Sequence, residues 1–186
     1  MGYIFDPDAL HAIALHAVGK PPDEMIRTVA DGLERAYPGH VDTRQPFILS
    51  LFGGTTGMIK VLHASVTEYV LIYGSAVGTT GFSGRYLMEI HDSVLCGEMS
   101  TFLDNRPLER ELFRPGDHAV LPRGRAKGWS IGPETWMLEY GRGLVPSGLA
   151  FGVGDALFSA MDPPTLLGTL WIYGKLTLRE LLRGKV

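Results

Sequence analysis

Two carboxylates, Asp92 and Glu139, lie where the sequence predicts apolar strand faces. Alternation along residues 86–92 puts Asp92 on the same face as Met88, and alternation along residues 135–140 also gives Glu139 an apolar neighbourhood. A carboxylate among apolar side chains costs free energy unless it has a partner. If the two strands face each other across a barrel, we expect the two acids to share one proton, because two close anions in an apolar cavity cannot both ionise cheaply.

Such a pair could do proton chemistry. One protonated acid beside one carboxylate can give a proton to a substrate atom and remove another, and it can also be the counter-ion of a bound cation. The alternative is that both carboxylates lie at strand edges and bond to arginines such as Arg85 or Arg142. A tyrosine in the same cavity, such as Tyr69, would also need a hydrogen-bond partner, and a carboxylate would serve. The residues alone leave these alternatives open.

The sequence contains no familiar motif for binding a metal or a nucleotide. His-Glu-x-x-His, the Gly-x-Ser-x-Gly elbow and the P-loop are all missing from the sequence. Residues 115–124 look like the second sequence box of cupin barrels, but residues 125–127 offer no metal ligand, and the six histidines are scattered. We therefore expect a cupin-like barrel that uses no metal and no other cofactor.

Composition indicates one globular domain over residues 1–186. The chain is 45% hydrophobic and has a formal net charge of −3, which excludes a disordered chain and argues against a nucleic-acid surface. Its single cysteine, Cys96, cannot form an internal disulfide. We find no apolar run long enough to span a bilayer and no secretory signal at the N-terminus.

The elements that must position the two acids fall into three parts. Residues 1–46 predict two helices, the first capped by Asp6 before Pro7 and the second beginning near Asp23. Residues 47–146 alternate as short strands between glycine-rich turns, which is typical of a small sandwich or barrel. The fold class is therefore mainly β with flanking helices.

Residues 147–186 return to helix. We expect Ser147 to cap one helix and Asp162 to cap a second, which carries Trp171 and Tyr173. This apolar pair has few charges, mostly basic, so it could lie in a membrane interface. The other interpretation is that both helices pack on the barrel and complete its core.

Four segments closely resemble the sigma-1 receptor and C-8 sterol isomerase family: residues 37–41, 63–71, 81–86 and 136–143. The resemblance continues through residues 149–159 and covers nearly the whole chain in the same order. It implies a cupin-like β-barrel that encloses a long apolar ligand cavity. It also implies two C-terminal helices that rest on a membrane, and a homotrimer. Because the chain begins almost where the family's soluble part begins, we expect any membrane contact to come from the C-terminal helices.

The resemblance also implies roles for individual residues. Glu139 matches the carboxylate that pairs with the amine of bound ligands, Asp92 matches its acidic partner, and Tyr69 matches the tyrosine that orients the glutamate. Six further positions match cavity-lining positions of the family: Leu71, Tyr86, Ile90, Val145, Leu149 and Tyr173. Leu121 and Ile131 replace a pocket histidine and a pocket tryptophan of the receptor, so we expect a different ligand preference.

The resemblance implies a sterol double-bond isomerase of the C-8 type, with Glu139 and Asp92 as catalytic residues. Protonation of a ring alkene would give a tertiary carbocation, and loss of a neighbouring proton would complete a Δ8 to Δ7 shift. The alternative is a non-catalytic binder of cationic amphiphiles or lipids, like the receptor, and a plain lipid carrier is a third possibility. The expected location is a membrane surface, that of the endoplasmic reticulum in a eukaryote or the cytoplasmic membrane face otherwise, and we expect no nucleic-acid partner.

Overall fold

The computed structural model describes residues 2–185 and is mainly β. Within these residues the helices are α1 (Pro7–Leu15), α2 (Pro22–Ala36), α3 (Pro146–Phe158) and α4 (Pro163–Leu181). The strands in the same range are β1 (Ile48–Phe52), β2 (Thr55–Ala64), β3 (Glu68–Ser75), β4 (Thr79–Phe82), β5 (Met88–Cys96), β6 (Met99–Leu103), β7 (Arg106–Phe113), β8 (His118–Leu121), β9 (Lys127–Ile131) and β10 (Thr135–Gly143). The predicted fold class, a mainly β cupin-like domain with two helices before the strands and two after them, is confirmed.

The strands form two antiparallel sheets. One sheet has the order β1-β2-β3-β10-β5-β8, and the other has the order β4-β9-β6-β7. Apolar side chains from both sheets meet in one core, which includes Leu71 and Met137 from the first sheet and Met99 and Ile131 from the second. The two sheets therefore face each other around one core, and the barrel that they form is not closed.

The N-terminal helices cover the outer face of the six-stranded sheet. Helix α1 begins where the Asp6 side chain accepts a hydrogen bond from the amide of Ala9, at 2.9 Å, as its sequence predicts. Helix α2 buries Val29 and Leu33 against the outer side chains of the central strands, among them Ile72. Strand β3 is consequently buried on both faces.

The C-terminal helices close one end of the space between the sheets. Helix α3 packs on β1, and α4 packs on β1 and β2. The prediction that Ser147 caps α3 is wrong, because the helix already begins at Pro146, whose missing amide hydrogen suits a first helical position. The Ser147 hydroxyl instead donates to the carbonyl of Leu144 and accepts from the amide of Leu87.

Helix α4 is capped by Asp162, which accepts from the amide of Thr165 at 3.2 Å, as predicted. One face of α4 buries Ile172, Tyr173 and Leu176 in the core, and the other face leaves Trp171 exposed. Each C-terminal helix thus completes the core on one side. In the range 2–185, none of the helices combines the length and the apolar character that crossing a membrane requires.

Candidate functional site

A cavity lies between the two sheets, beneath α3 and α4. Its volume is about 110 Å³. One water needs roughly 10–15 Å³, so the cavity has room for several waters or for a small organic group. All nine residues that the sequence and the resemblance single out line it: Tyr69, Leu71, Tyr86, Ile90, Asp92, Glu139, Val145, Leu149 and Tyr173.

The two carboxylates come together because their strands are neighbours in one sheet. Strands β5 and β10 pair antiparallel, and the register places Glu139 directly opposite Asp92. Residues directly opposite on paired strands point to the same face, with Cβ atoms about 4.5–5.5 Å apart. The two strands are thus neighbours in one sheet and do not face each other across a barrel, and the two acids still meet in one cavity.

Glu139 is held by Tyr69. The phenol of Tyr69 donates to Glu139 Oε1 at 2.6 Å, which is the contact that the resemblance implies. The tyrosine ring can lie across β10 because the facing residue is Gly141, where a Cβ would come within 2.2 Å of the ring atom Cε1 of Tyr69. A bulkier residue at position 141 would displace the ring and break the hydrogen bond.

The environment of Glu139 favours its neutral form. Burial and, after it, the charge of Asp92 raise the pKa of the Glu139 carboxyl, whereas the Tyr69 hydrogen bond and the charge of Lys127 lower it, and the net pKa is about 7. The side chain is only partly covered, because it borders the cavity. Glu139 can therefore hold or release a proton at a position that a ligand can reach.

Sequence reasoning missed the partner of Asp92. The ammonium of Lys127, on β9 of the opposite sheet, donates to Asp92 Oδ2 at 2.6 Å, and both side chains are buried. Lys127 also lies over the indole of Trp129, with Nζ 5.6 Å from the ring centroid. The available signal was the alternation of residues 127–131, which puts Lys127, Trp129 and Ile131 on one face of β9.

The ion pair changes the expected state of the two acids. Asp92 bonds to a cation and Glu139 bonds to a phenol, so each carboxylate has its own partner in place of a proton shared between the two. One oxygen, Asp92 Oδ1, is buried and lacks a hydrogen-bond partner within residues 2–185. The cavity thus contains an ion pair with an unused acceptor beside a carboxyl group that titrates near neutral pH.

The alternative that arginines hold the two acids is wrong. Arg85 pairs with Asp104 at 2.7 Å, and Arg142 pairs with Glu89 on the outer face of β5. His91 also points to that outer face, as predicted, and its ring stacks on Tyr140. Both arginines are thus paired with other carboxylates, and the cavity carboxylates bond to Lys127 and Tyr69.

The cavity tyrosines remain neutral hydrogen-bond donors. Burial raises the pKa of the Tyr69 phenol well above its usual value and raises the pKa of Tyr73 to about 12. It also raises the pKa of Tyr86 and that of Tyr173, in both cases with a contribution from the charge of Glu139. Over the part of the chain that the structure describes, no three His, Cys, Asp or Glu side chains are grouped in a way that could hold a metal ion.

Comparison with known proteins gives a family match over almost the whole chain. The family model described as ERG2 and Sigma1 receptor like protein matches residues 1–185. Sigma non-opioid intracellular receptor 1 of Gallus gallus is 40% identical over 182 residues, which cover 96% of this chain and 81% of the receptor. The C-8 sterol isomerase erg2 of Aspergillus fumigatus is 34% identical over 187 residues, which cover 98% of this chain and 78% of that protein.

Solved structures show a weaker likeness. A cupin superfamily protein from Desulfitobacterium hafniense superposes with a TM-score of 0.42 at 16% identity, over 46% of this chain and 76% of the other. That score is too low to carry any argument about the site.

Proposed function

The chain belongs to the family of ERG2 and sigma-1-receptor-like proteins, and from that premise we propose that it is a sterol double-bond isomerase of the C-8 type. The observation that carries the proposal is a carboxyl group, Glu139, whose pKa is about 7 and which faces an apolar cavity. A group that is half protonated at neutral pH can act as acid and as base in one reaction cycle.

The reaction needs one proton in and one proton out. Protonated Glu139 gives its proton to one carbon of the Δ8 double bond, whose π electrons form the new C–H bond and leave a tertiary carbocation on the other carbon. The C–H electrons of a neighbouring ring carbon then form the Δ7 double bond, and the released proton returns to the Glu139 carboxylate. The carboxylate that Glu139 leaves behind stabilises the cation, and the charge of Asp92, which Lys127 balances, contributes by raising the pKa of Glu139.

The walls of the cavity suit this intermediate. Apolar and aromatic side chains such as Leu71, Ile90 and Trp129 exclude the water that would otherwise capture a carbocation. The Tyr69 hydrogen bond holds Glu139 in one orientation, and such fixed geometry is worth more than the strength of a single contact. The same residues would bind the flat hydrocarbon body of a sterol.

The test is incubation of the purified protein with a Δ8 sterol. We expect a Δ7 product, and we expect Glu139→Gln to abolish it, because glutamine cannot exchange a proton. Glu89→Gln is the matched control, since Glu89 lies on the outer face of β5 and should leave the rate unchanged. No product from a folded protein that binds the sterol would refute the isomerase proposal.

A second candidate is the non-catalytic binder of cationic amphiphiles. The carboxylate of Glu139 is open to the cavity, so an ammonium ligand could reach its ionised form. The similarity to the Gallus gallus receptor supports this candidate. Tight amine binding that is lost in Glu139→Gln, together with no Δ7 product, would favour it.

We further propose that α3 and α4 rest on a membrane surface, that of the endoplasmic reticulum if the source is a eukaryote. The outward faces of the two helices, the turn between them and the end of α4 carry large apolar side chains that are mostly exposed: Phe158 (87%), Met161 (80%), Leu167 (66%), Trp171 (72%), Leu178 (58%) and Leu182 (82%). Exposed apolar surface of this extent is typical of a face that contacts lipid or another protein.

We also propose that the protein forms a homotrimer. Strand β7 is one of the two edge strands of the four-stranded sheet, and Leu108 on it is 97% exposed. Such an edge is a ready surface for self-association. Sedimentation of the protein and of Leu108→Glu tests this, and an unchanged monomer in both would refute it.

A further inference from the structure

We propose that the ion pair of Lys127 and Asp92 is a recognition site for the hydroxyl group of an uncharged lipid. In the same proposal, Lys127 makes the cavity select such alcohols over cationic amines. The inference deepens the proposed function and rests on it in one respect, that a sterol-like lipid occupies the cavity.

The pair is built into the cavity wall. Lys127 comes from the four-stranded sheet and Asp92 from the six-stranded sheet, and their side chains meet with Nζ 2.6 Å from Oδ2. Relative exposures of 7% for Lys127 and 2% for Asp92 show that water hardly reaches either group. The free energy of removing two charges from water is about as large as the attraction between them, so a buried ion pair contributes little to the stability of the fold. A role in ligand binding explains the pair better than stability does.

The pair has hydrogen-bonding capacity left for a ligand. Asp92 Oδ1 is buried and has no partner among residues 2–185, and Asp92 accepts one of the three N–H donors of the Lys127 ammonium. A hydroxyl group is both donor and acceptor. One lipid hydroxyl can therefore donate to Oδ1 of Asp92 and accept from Nζ of Lys127, whereas an ether or a ketone can only accept.

Charge sets the preference between an alcohol and an amine. The ammonium of Lys127 already neutralises Asp92, so a ligand ammonium placed beside Asp92 would meet a second positive charge at close range. Like charges repel strongly where water is excluded. The remaining attraction is that of Glu139, which is partly neutral near pH 7. An alcohol escapes this repulsion.

The experiment measures equilibrium binding of three probes with one ring skeleton to the full chain in detergent: cholestanol, its methyl ether and 3β-aminocholestane. We expect cholestanol to bind roughly tenfold more tightly than either analogue, equivalent to about 1.4 kcal/mol. In Lys127→Met, cholestanol should lose about tenfold and the amine should gain about tenfold. Lys127→Gln keeps a donor without the charge, so the amine should gain while cholestanol binding changes by less than about threefold.

Lys175→Met is the control, because Lys175 is an exposed lysine on α4 away from the cavity, and all three affinities should stay unchanged. Equal binding of cholestanol and its methyl ether, or an amine affinity that Lys127→Met and Lys127→Gln leave unchanged, would overturn the inference. If Lys127→Met does not fold, Lys127→Gln decides the question of charge. Alcohol-selective binding without Δ7 product would refute the isomerase proposal alone, and Δ7 product without alcohol selectivity would refute this inference alone.

Discussion

The hydrogen bond from Tyr69 to Glu139 controls the pH range of the proposed reaction. Tyr69→Phe removes a bond of 2.6 Å that stabilises the ionised carboxylate. A hydrogen bond to a charged group contributes about 1.5–3 kcal/mol. Because 1.36 kcal/mol corresponds to one pKa unit, the pKa of Glu139 should rise by about 1–2 units above its value of about 7.

The sign follows from the proton that the first step consumes. Isomerisation needs protonated Glu139, so the rate of the unaltered protein should fall as pH rises through about 7. In Tyr69→Phe the same fall should occur about 1–2 pH units higher. The maximal rate should drop, because the carboxyl is no longer held in one orientation, and the midpoint of the profile separates this loss from the change in pKa.

The assay is the initial rate of Δ7 sterol formation between pH 5 and 10, with stability checked at each pH. Tyr37→Phe is the matched control, because the Tyr37 hydroxyl accepts from the amide of Asp6, far from the cavity, and its profile should match that of the unaltered protein. A Tyr69→Phe profile with an unshifted midpoint, or one shifted to lower pH, would refute the reasoning on Glu139.

Three further predictions concern stability and membrane contact. Because burial raises the pKa of Glu139, the folded state holds this proton more tightly than the unfolded chain, and the free energy of unfolding should fall as pH rises from 4.5 to 7. Glu139→Gln should remove that fall, and in urea unfolding at pH 8 it should be more stable than the unaltered protein by about 2 kcal/mol. An equal slope in both proteins would contradict this. Lys127→Met should destabilise by about 3 kcal/mol, and Asp92→Asn should offset part of that loss in the double variant, whereas simple additivity would mean that the ion pair is not coupled. Phe158→Glu with Trp171→Glu should reduce flotation with liposomes several-fold, and unchanged flotation would exclude α3 and α4 as the contact.

Local patterns predicted the elements well. The Asp6 and Asp162 caps depend on side chains that bond within three residues, so the sequence shows them directly. Strand alternation depends only on the two-residue period of extended chain, and it placed Tyr69, Asp92 and Glu139 on inward faces. Both signals are local, which is why they survive without knowledge of the fold.

Long-range pairing could not be read in the same way. Whether β5 lies beside β10 or opposite it depends on which strands pair, and alternation is the same in both cases. The contact of Lys127 with Asp92 joins residues 35 positions apart on different sheets. The Ser147 cap failed for a local reason, since Pro146 is itself a suitable first helical residue and moves the N-cap from Ser147 to Val145, two positions earlier.

Because β3 is buried on both faces, the two sheets that line the cavity differ in how well they tolerate substitution. The wall that carries Tyr69 and Glu139 is backed by α1 and α2, so a substitution there disturbs two packed layers at once. The wall that carries Lys127 and Trp129 belongs to a smaller sheet with a free edge. Changes of ligand preference within this fold should therefore be concentrated at positions of the smaller sheet such as Trp129, where a new side chain can contact a different ligand without replacing Tyr69, Asp92, Lys127 or Glu139.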